Sequence, residues 1–242
     1  YSATYRGLDF SQTTKLTFFK SYGTVNYDIV PDVSNNPNLE TYDCLTYTPL
    51  FNVSNHRLLK TIRVYDYTNP IDININSTYL PELRTLYLDK VTEHDYNFST
   101  RNLSLLTTLY LRCNSFTNLN QLTNLVTLQL YDDNTTAVDF TGMVNLVNLY
   151  IDDFYSFTGV LDLKPLTALK NFELDYPRHP LLTSIDIANG LNTQITKFRR
   201  AYLTNIIDVK VDNPIDANNQ VTPYLSTVWI KYNDIYEVLN FI

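Results

Sequence analysis

Apolar residues recur along the chain in the pattern L-x-x-L-x-L, where x is mostly polar. The five clearest copies are Leu83-Leu86-Leu88, Leu106-Leu109-Leu111, Leu125-Leu128-Leu130, Leu146-Leu149-Ile151 and Leu169-Phe172-Leu174. The last three positions of each copy alternate apolar, polar, apolar, and this period of two is typical of a β-strand with one buried face. The pattern therefore predicts one short strand per copy.

Looser copies extend the pattern over most of the chain. They are Thr13-Leu16-Phe18, Leu39-Tyr42-Cys44, Leu59-Ile62-Val64, Ile195-Phe198-Arg200 and Leu225-Val228-Ile230. A second signal, apolar–Asp/Asn–apolar, follows 12 to 16 residues after each first position, for example at 138–140, 161–163 and 185–187. The unit that starts at residue 106 has only Leu119-Asn120-Gln121. This second alternation predicts a return strand whose Asp or Asn faces water.

A unit of about 20 to 25 residues cannot bury its own apolar edge, so the repeats predict a stacked solenoid in which each coil contacts its neighbours. Ten copies predict about ten coils and one long parallel sheet. The return segments are rich in Asn, Thr, Asp and Pro, which favours short strands, turns and few helices on the other side. We expect a capping segment at residues 1–12, the solenoid at 13–233, and a last return strand at the C-terminal end, 234–242.

The repeat resembles that of the leucine-rich-repeat family. The stretch LTTLYLRCN, residues 106–114, matches the LxxLxLxxN core, and Asn114 takes the Asn position. The stretches NPNLETYDC (36–44) and LLTSIDIANG (181–190) resemble short repeats of bacterial cell-surface proteins of this family. In three units the Asn position instead holds Asp133, Phe154 or Pro177. The resemblance implies a leucine-rich-repeat solenoid of the β-rich α/β class, curved so that its concave sheet binds partners, and it implies no one chemistry.

The strand residues fall into columns that run from coil to coil. If the first apolar residue of a copy is position 0, positions 0, 3 and 5 point inward, and positions 2, 4 and 6 form columns 2, 4 and 6 of the outward face. Column 2 is mostly Thr, which favours a structural ladder. Columns 4 and 6 hold seven aromatics in 20 positions, compared with 14% aromatic residues in the whole chain.

The candidate ligand-binding residues lie in columns 4 and 6. The aromatic anchors are Tyr65, Tyr87, Tyr110, Tyr131, Tyr150 and Trp229, and the charged rim is Asp89, Arg112, Asp152 and Asp175. The five tyrosines occupy successive coils and predict a continuous ridge that suits a protein interface or sugar stacking. The competing interpretation is that tyrosine simply favours open strands. Asp152 and Asp175 are a solvated rim, a cation site or, least favoured, a pair of glycosidase carboxylates.

Composition narrows the classes of function. The formal net charge of −7 argues against a nucleic-acid partner, and no apolar run is long enough for membrane insertion. Glycine-rich phosphate loops, CxxC and HExxH are absent from the sequence, so we expect no enzyme activity, cofactor or metal. Cys44 and Cys113 lie three coils apart and are expected to be free thiols. His56, His94 and His179 are expected at the surface, and Lys197, Arg199 and Arg200 form a small basic spot.

The sequence therefore predicts a non-catalytic recognition or adhesion module. It would bind a protein or glycan partner on its concave sheet, on a bacterial surface or a phage particle. The alternative is a structural spacer or virion component held by its ends and edges. An extracellular, cell-surface or virion location fits the low Lys and Gly and the high Asn, Tyr and Thr content. The oligomeric state stays open.

Overall fold

A computed structural model describes the chain at residues 10, 12–21, 33, 35–45, 56–65, 77–98, 102–132, 134–152, 156–175, 181–190, 197–200, 208–210 and 228–230. At 45, 90–97, 132, 175, 197–200, 208–210 and 228–230 it describes the backbone alone.

Strands are the main regular element of the described residues and alternate with turns and irregular segments. The strands are β1 (Phe18–Ser21), β2 (Thr41–Leu45), β3 (Thr61–Tyr65), β4 (Thr85–Asn97), β5 (Thr108–Thr117), β6 (Thr127–Asp132), β7 (Asn148–Asp152), β8 (Gly159–Asp162), β9 (Asn171–Asp175), β10 (Leu182–Asp186), β11 (Lys197–Arg200), β12 (Asp208–Lys210) and β13 (Val228–Ile230). One short 3₁₀ helix, Leu119–Gln121, is the helical element among the described residues. No helix in the described part of the chain has the length and apolarity that a membrane span requires.

Ten strands form one parallel sheet, the main sheet, in the order β1-β2-β3-β4-β5-β6-β7-β9-β11-β13. Its register keeps equivalent repeat positions side by side, so that Leu86 pairs with Leu109, Leu109 with Leu128, and Leu128 with Leu149. In the copies that carry β2 to β7 and β9, the side chains at positions 0, 3 and 5 are buried in one continuous core, as Leu106, Leu109 and Leu111 illustrate. The alternation in the sequence therefore predicted the buried face correctly for these strands.

A further inner column lies three residues before each repeat. Leu80, Leu103, Leu122, Met143 and Leu166 are buried there. The backbone N–H at position 0 donates to the carbonyl of this residue, for example from Leu125 to Leu122 at 3.1 Å. This turn directs both side chains inward and closes each coil onto the core.

The return side carries a three-stranded parallel sheet in the order β12-β10-β8. These strands coincide with the predicted apolar–Asp–apolar signals, and Asp162 pairs in register with Asp186. The aspartates also build turns: Asp139, Asp162 and Asp186 each accept a hydrogen bond from the backbone N–H two residues later, at 2.8, 3.0 and 3.2 Å. Asp139 and Asp162 are exposed as predicted, whereas Asp186 is buried, so the water-facing prediction is wrong for Asp186.

The fold is thus a parallel β-solenoid with almost no helix among the described residues. The structure describes both the main-sheet strand and most of the return segment for about five turns of the solenoid. The count of ten coils stays a prediction, because the return segments of the remaining units lie largely outside the described residues. The predicted capping segment, except for Phe10 and Gln12, and the predicted last return strand also lie outside them.

The predicted register of the first repeat is wrong by three residues. In β1, Phe19 pairs with Tyr42 and Phe18 pairs with Thr41, so Leu16 and Phe19 take positions 0 and 3. Phe19 is accordingly buried and Phe18 is exposed, the reverse of the prediction. The predicted frame places Leu16 and Phe18 at positions 3 and 5, whereas the observed frame places Leu16 and Phe19 at positions 0 and 3, and the pairing with β2 selects the frame that extends the core.

His56 is fully buried, which contradicts its predicted surface position. It occupies the inner column described above, and its Nε2 atom lies 2.8 Å from the carbonyl oxygen of Val33 in the preceding coil. A polar residue is tolerated there because the hydrogen bond compensates for lost hydration. His94 has no described side chain, and His179 lies outside the described residues. The prediction for the cysteines is confirmed: Cys44 and Cys113 are both buried free thiols.

Candidate functional site

Columns 4 and 6 run along the outward face of the main sheet, and strand pairing places the predicted site residues on it. Tyr87 pairs with Tyr110, and Tyr65 pairs with Asp89. Tyr131 lies between Arg112 and Asp152 in column 6. Asp175 continues column 6 beside Asp152, and Trp229 pairs with Arg199 in column 4; for Asp175, Arg199 and Trp229 only the backbone is described.

Four of the tyrosines form a continuous chain of ring contacts, which we call the tyrosine cluster: Tyr65, Tyr87, Tyr110 and Tyr131. Tyr87 and Tyr110 stack with ring centroids 3.8 Å apart and planes at 15°. Tyr65 packs against Tyr87 at 4.7 Å, and Tyr131 packs against Tyr110 at 5.1 Å. The rings are half-buried, although no core layer covers this face in the described residues. Ring stacking between neighbouring strands therefore supplies much of their burial.

The fifth predicted tyrosine does not belong to the cluster. Gln129 lies between Tyr110 and Tyr150 in column 4 and separates the two rings. Its Nε2 atom instead donates a hydrogen bond to the Tyr131 hydroxyl oxygen at 2.8 Å. The predicted ridge of five tyrosines is thus a cluster of four rings, and Tyr150 is a half-buried neighbour beyond it.

Burial raises the pKa of three tyrosines of the cluster, Tyr87, Tyr110 and Tyr131. It raises the pKa of Tyr87 to about 12, against an ordinary value of 10.0, while a hydrogen bond from Tyr110 acts in the opposite direction. Burial also raises the pKa of Tyr110, and its hydrogen bond to Tyr87 and the nearby Asp89 charge act in the same direction. Burial is again the main reason why the pKa of Tyr131 is raised. These three hydroxyl groups therefore stay protonated to a higher pH than a tyrosine with the ordinary pKa of 10.0 does.

Charged side chains flank the cluster in column 6. The Nη1 atom of Arg112 lies 3.8 Å from the Oδ1 atom of Asp89, whose side chain is only 13% exposed. The Arg112 guanidinium also lies over the Tyr131 ring, with Cζ 5.7 Å from the ring centroid. This contact is a cation–π geometry that covers one face of Tyr131. Asp89, Arg112 and the four rings thus form one packed outward surface.

The N-terminal end of column 4 carries an ion-pair row that the sequence analysis did not identify. Asp43 lies between Lys20 and Arg63, and its Oδ2 atom is 3.9 Å from Lys20 Nζ and 3.7 Å from Arg63 Nη1. Asp43 was expected to face solvent but is buried, because these two long side chains and its own strand neighbours cover it. Column 4 could have revealed the row, since it holds opposite charges in adjacent coils.

Column 2, which the sequence predicts to be a structural ladder, carries side-chain hydrogen bonds across three successive coils. Asn171 Nδ2 donates to Asn148 Oδ1 at 2.6 Å, and Asn148 Nδ2 donates to Thr127 Oγ1 at 3.0 Å. These bonds run along the sheet from β9 to β6 and tie each coil to the next. In the described residues, no group of three or more His, Cys, Asp or Glu side chains has an arrangement that could hold a metal ion.

No protein-family model and no curated protein matches the chain. Among solved structures, the chain is similar to one described as the functional domain of InlJ from Listeria monocytogenes, which includes a cysteine ladder. The two share 16% sequence identity with a TM-score of 0.44, and the match covers 85% of this chain. The chain matches 61% of the length of that structure.

Proposed function

We propose that the chain is a divergent leucine-rich-repeat solenoid of about ten coils that acts as a non-catalytic recognition or adhesion module. Its partner, a protein or a glycan, would bind the outward face of the main sheet at the tyrosine cluster. The cluster is the observation that carries this proposal. Four large rings are packed together on a sheet face that no core layer covers in the described residues.

The geometry of the cluster suits recognition for two reasons. Tyrosine combines a large apolar area with a polar tip, and it is enriched among the residues that dominate binding energy at interfaces. Because the rings already hold one another in place, a partner would immobilise few side chains on binding, which lowers the entropic cost of association. Strand pairing in register holds the strands that carry the rings side by side, from β3 to β6.

A location on a bacterial surface or a phage particle belongs to the same proposal. It is motivated by the repeat pattern and by the composition, which is low in Lys and Gly and high in Asn, Tyr and Thr. Absence of catalysis is likewise proposed, since no sequence motif of a catalytic site is present.

Binding to a glycan array and to an immobilised peptide array tests the proposal. The wild-type chain is compared with the Tyr87→Ala/Tyr110→Ala variant, which removes the stacked pair, and with Tyr87→Phe/Tyr110→Phe, which keeps both rings. We expect wild-type binding on one array, a loss of about tenfold or more in the alanine variant, and a smaller loss in the phenylalanine variant. Circular dichroism must show that both variants fold.

Two outcomes would overturn the proposal. One is undiminished binding by a folded alanine variant, which would separate binding from the cluster. The other is no binding of the wild-type chain on either array.

A further inference from the structure

Two rings of the tyrosine cluster meet more closely than the others do. Tyr87 and Tyr110 face each other with centroids 3.8 Å apart and planes at 15°. Aromatic pairs in proteins usually have centroids about 4.5 to 7 Å apart. The outer rings are tilted, Tyr65 by 45° against Tyr87 and Tyr131 by 36° against Tyr110. Face-to-face overlap is therefore a property of the central pair.

The hydroxyl groups of the central pair lie at the same end of the stack. Tyr87 on β4 and Tyr110 on β5 are paired residues of parallel strands, so their side chains leave the sheet side by side. The Tyr110 hydroxyl donates a hydrogen bond to the Tyr87 hydroxyl oxygen. The ring carbons next to each hydroxyl, the Cε atoms, are therefore brought together face to face. In an oxidised tyrosine these carbons and the oxygen share the unpaired electron.

We propose that Tyr87 and Tyr110 are a site of oxidative cross-linking, at which a bond between one Cε atom of each ring joins β4 to β5 as dityrosine. The oxidant is hydrogen peroxide used by a peroxidase. Each phenol gives one electron to the oxidant and its hydroxyl proton to water, and the two radicals couple through their faces. Each bonded carbon then releases its proton, and each oxygen takes up a proton again. Two tyrosines and one hydrogen peroxide thus give one dityrosine and two water molecules.

The rest of the cluster favours coupling within one chain. Tyr65 and Tyr131 pack against the outer sides of the central pair, so a second molecule meets ring edges rather than the faces of Tyr87 and Tyr110. Oxidation at an outer ring also reaches the pair, because an oxidised tyrosine can take an electron from a ring that it contacts. The product is a covalent link between adjacent coils, and such a link restricts the unfolded chain as a disulfide does.

Trypsin digestion and mass spectrometry test the proposal, because cleavage after lysine and arginine separates the two tyrosines. Tyr87 lies on peptide 85–90 and Tyr110 lies on peptide 102–112, and each of these peptides contains one tyrosine. The wild-type chain is mixed with an equal amount of a copy labelled with heavy nitrogen and is treated with a peroxidase and hydrogen peroxide. A bond within one chain joins two light or two heavy peptides, whereas a bond between chains also gives mixed pairs.

Two variants complete the experiment. Tyr110→Phe keeps the ring but cannot form the radical, and Tyr150→Phe is the matched control, since it removes a half-buried hydroxyl on the same face outside the cluster. Circular dichroism must show that both variants fold.

We expect peptides 85–90 and 102–112 to be joined, with a mass two hydrogen atoms below their sum and without mixed pairs. This product should be the main dityrosine of the chain, which has 20 tyrosines. It should be lost in Tyr110→Phe and unchanged in Tyr150→Phe. Mixed pairs at the frequency of random encounter, dityrosine mainly in other peptides, or no dityrosine at all would each overturn the proposal.

Discussion

At the scale of single residues, two asparagines in one turn differ both in burial and in the number of hydrogen bonds that they make. Asn36 is fully buried, and its Nδ2 atom donates to the carbonyls of Thr13 at 2.7 Å and Phe10 at 3.3 Å. Asn38 is exposed and donates to the Thr14 carbonyl at 2.9 Å. All these bonds link the second coil to the first: Asn36 makes three of them, the third to the Thr13 Oγ1 atom, and Asn38 makes one.

We predict that Asn36→Ala lowers the free energy of unfolding by about 2 kcal/mol, because a fully buried side chain with its hydrogen bonds to Thr13 and Phe10 is removed and a cavity forms. Asn38→Ala should cost only about 0.5 kcal/mol, since water replaces the lost donor. Urea unfolding followed by circular dichroism measures both values. Equal losses in the two variants would show that burial at Asn36 does not add to the strength of the link.

At the scale of strands, three tyrosines of the cluster connect β4 to β6 through ring contacts, and their hydroxyl groups resist ionisation. The pKa of Tyr87 is raised to about 12, and the pKa values of Tyr110 and Tyr131 are raised from 10.0, chiefly by burial. The unfolded chain therefore loses these protons at lower pH than the folded chain does. The resulting stabilisation is complete below pH 10 and is lost as the pH rises toward 12.

We predict that the free energy of unfolding of the wild-type chain falls more steeply between pH 10 and pH 12 than that of Tyr87→Phe/Tyr110→Phe/Tyr131→Phe, which keeps the rings but cannot ionise. Urea unfolding at a series of alkaline pH values, for both proteins, gives the difference. Superimposable pH profiles would mean that the cluster hydroxyls are no more protected in the folded chain than in the unfolded one.

The strands also differ in how well the sequence predicted their inward residues. Alternation located the strands from Leu86 to Leu174, because each inward residue there is a large aliphatic or aromatic side chain. It failed at β1, where Phe18 and Phe19 are both apolar and only pairing with Tyr42 selects the inward one. It also failed at His56, because the sequence does not show whether a polar side chain faces water or a buried partner. The partner here, the Val33 carbonyl, comes from the preceding coil.

For the candidate site, the sequence predicted which residues share a column, but it did not predict which side chains contact one another. Tyrosines in columns 4 and 6 of five successive coils predicted a ridge that extends to Tyr150. A continuous chain of ring contacts also requires an aromatic residue on each adjacent strand, in the same column or in the neighbouring one. Gln129 interrupts column 4, and Tyr131 continues the chain diagonally from column 6. Diagonal contacts depend on side-chain rotamers, which residue spacing does not determine.

At the scale of the whole molecule, the solenoid predicts that coils are exchangeable units. Each coil contacts mainly its neighbours, so removal of a whole coil leaves a shorter stack with the same interfaces. Deletion of 125–145 brings Leu146 directly after Asn124, where Leu125 stands now. Because Gln129 pairs with both Tyr110 and Tyr150, the deletion also makes these two tyrosines strand partners.

We predict that the 125–145 deletion folds cooperatively and loses about 2 kcal/mol of unfolding free energy, at about 0.1 kcal/mol per residue. Deletion of 125–134, which removes about half a coil, should prevent folding. After this deletion the later leucines can no longer pair with the equivalent leucines of the preceding coil. Far-UV circular dichroism and urea unfolding distinguish the two. If both deletions unfold the chain, the coils are not independent units and its stability is set by longer-range contacts; if both fold, the register of Leu109, Leu128 and Leu149 does not determine the stack.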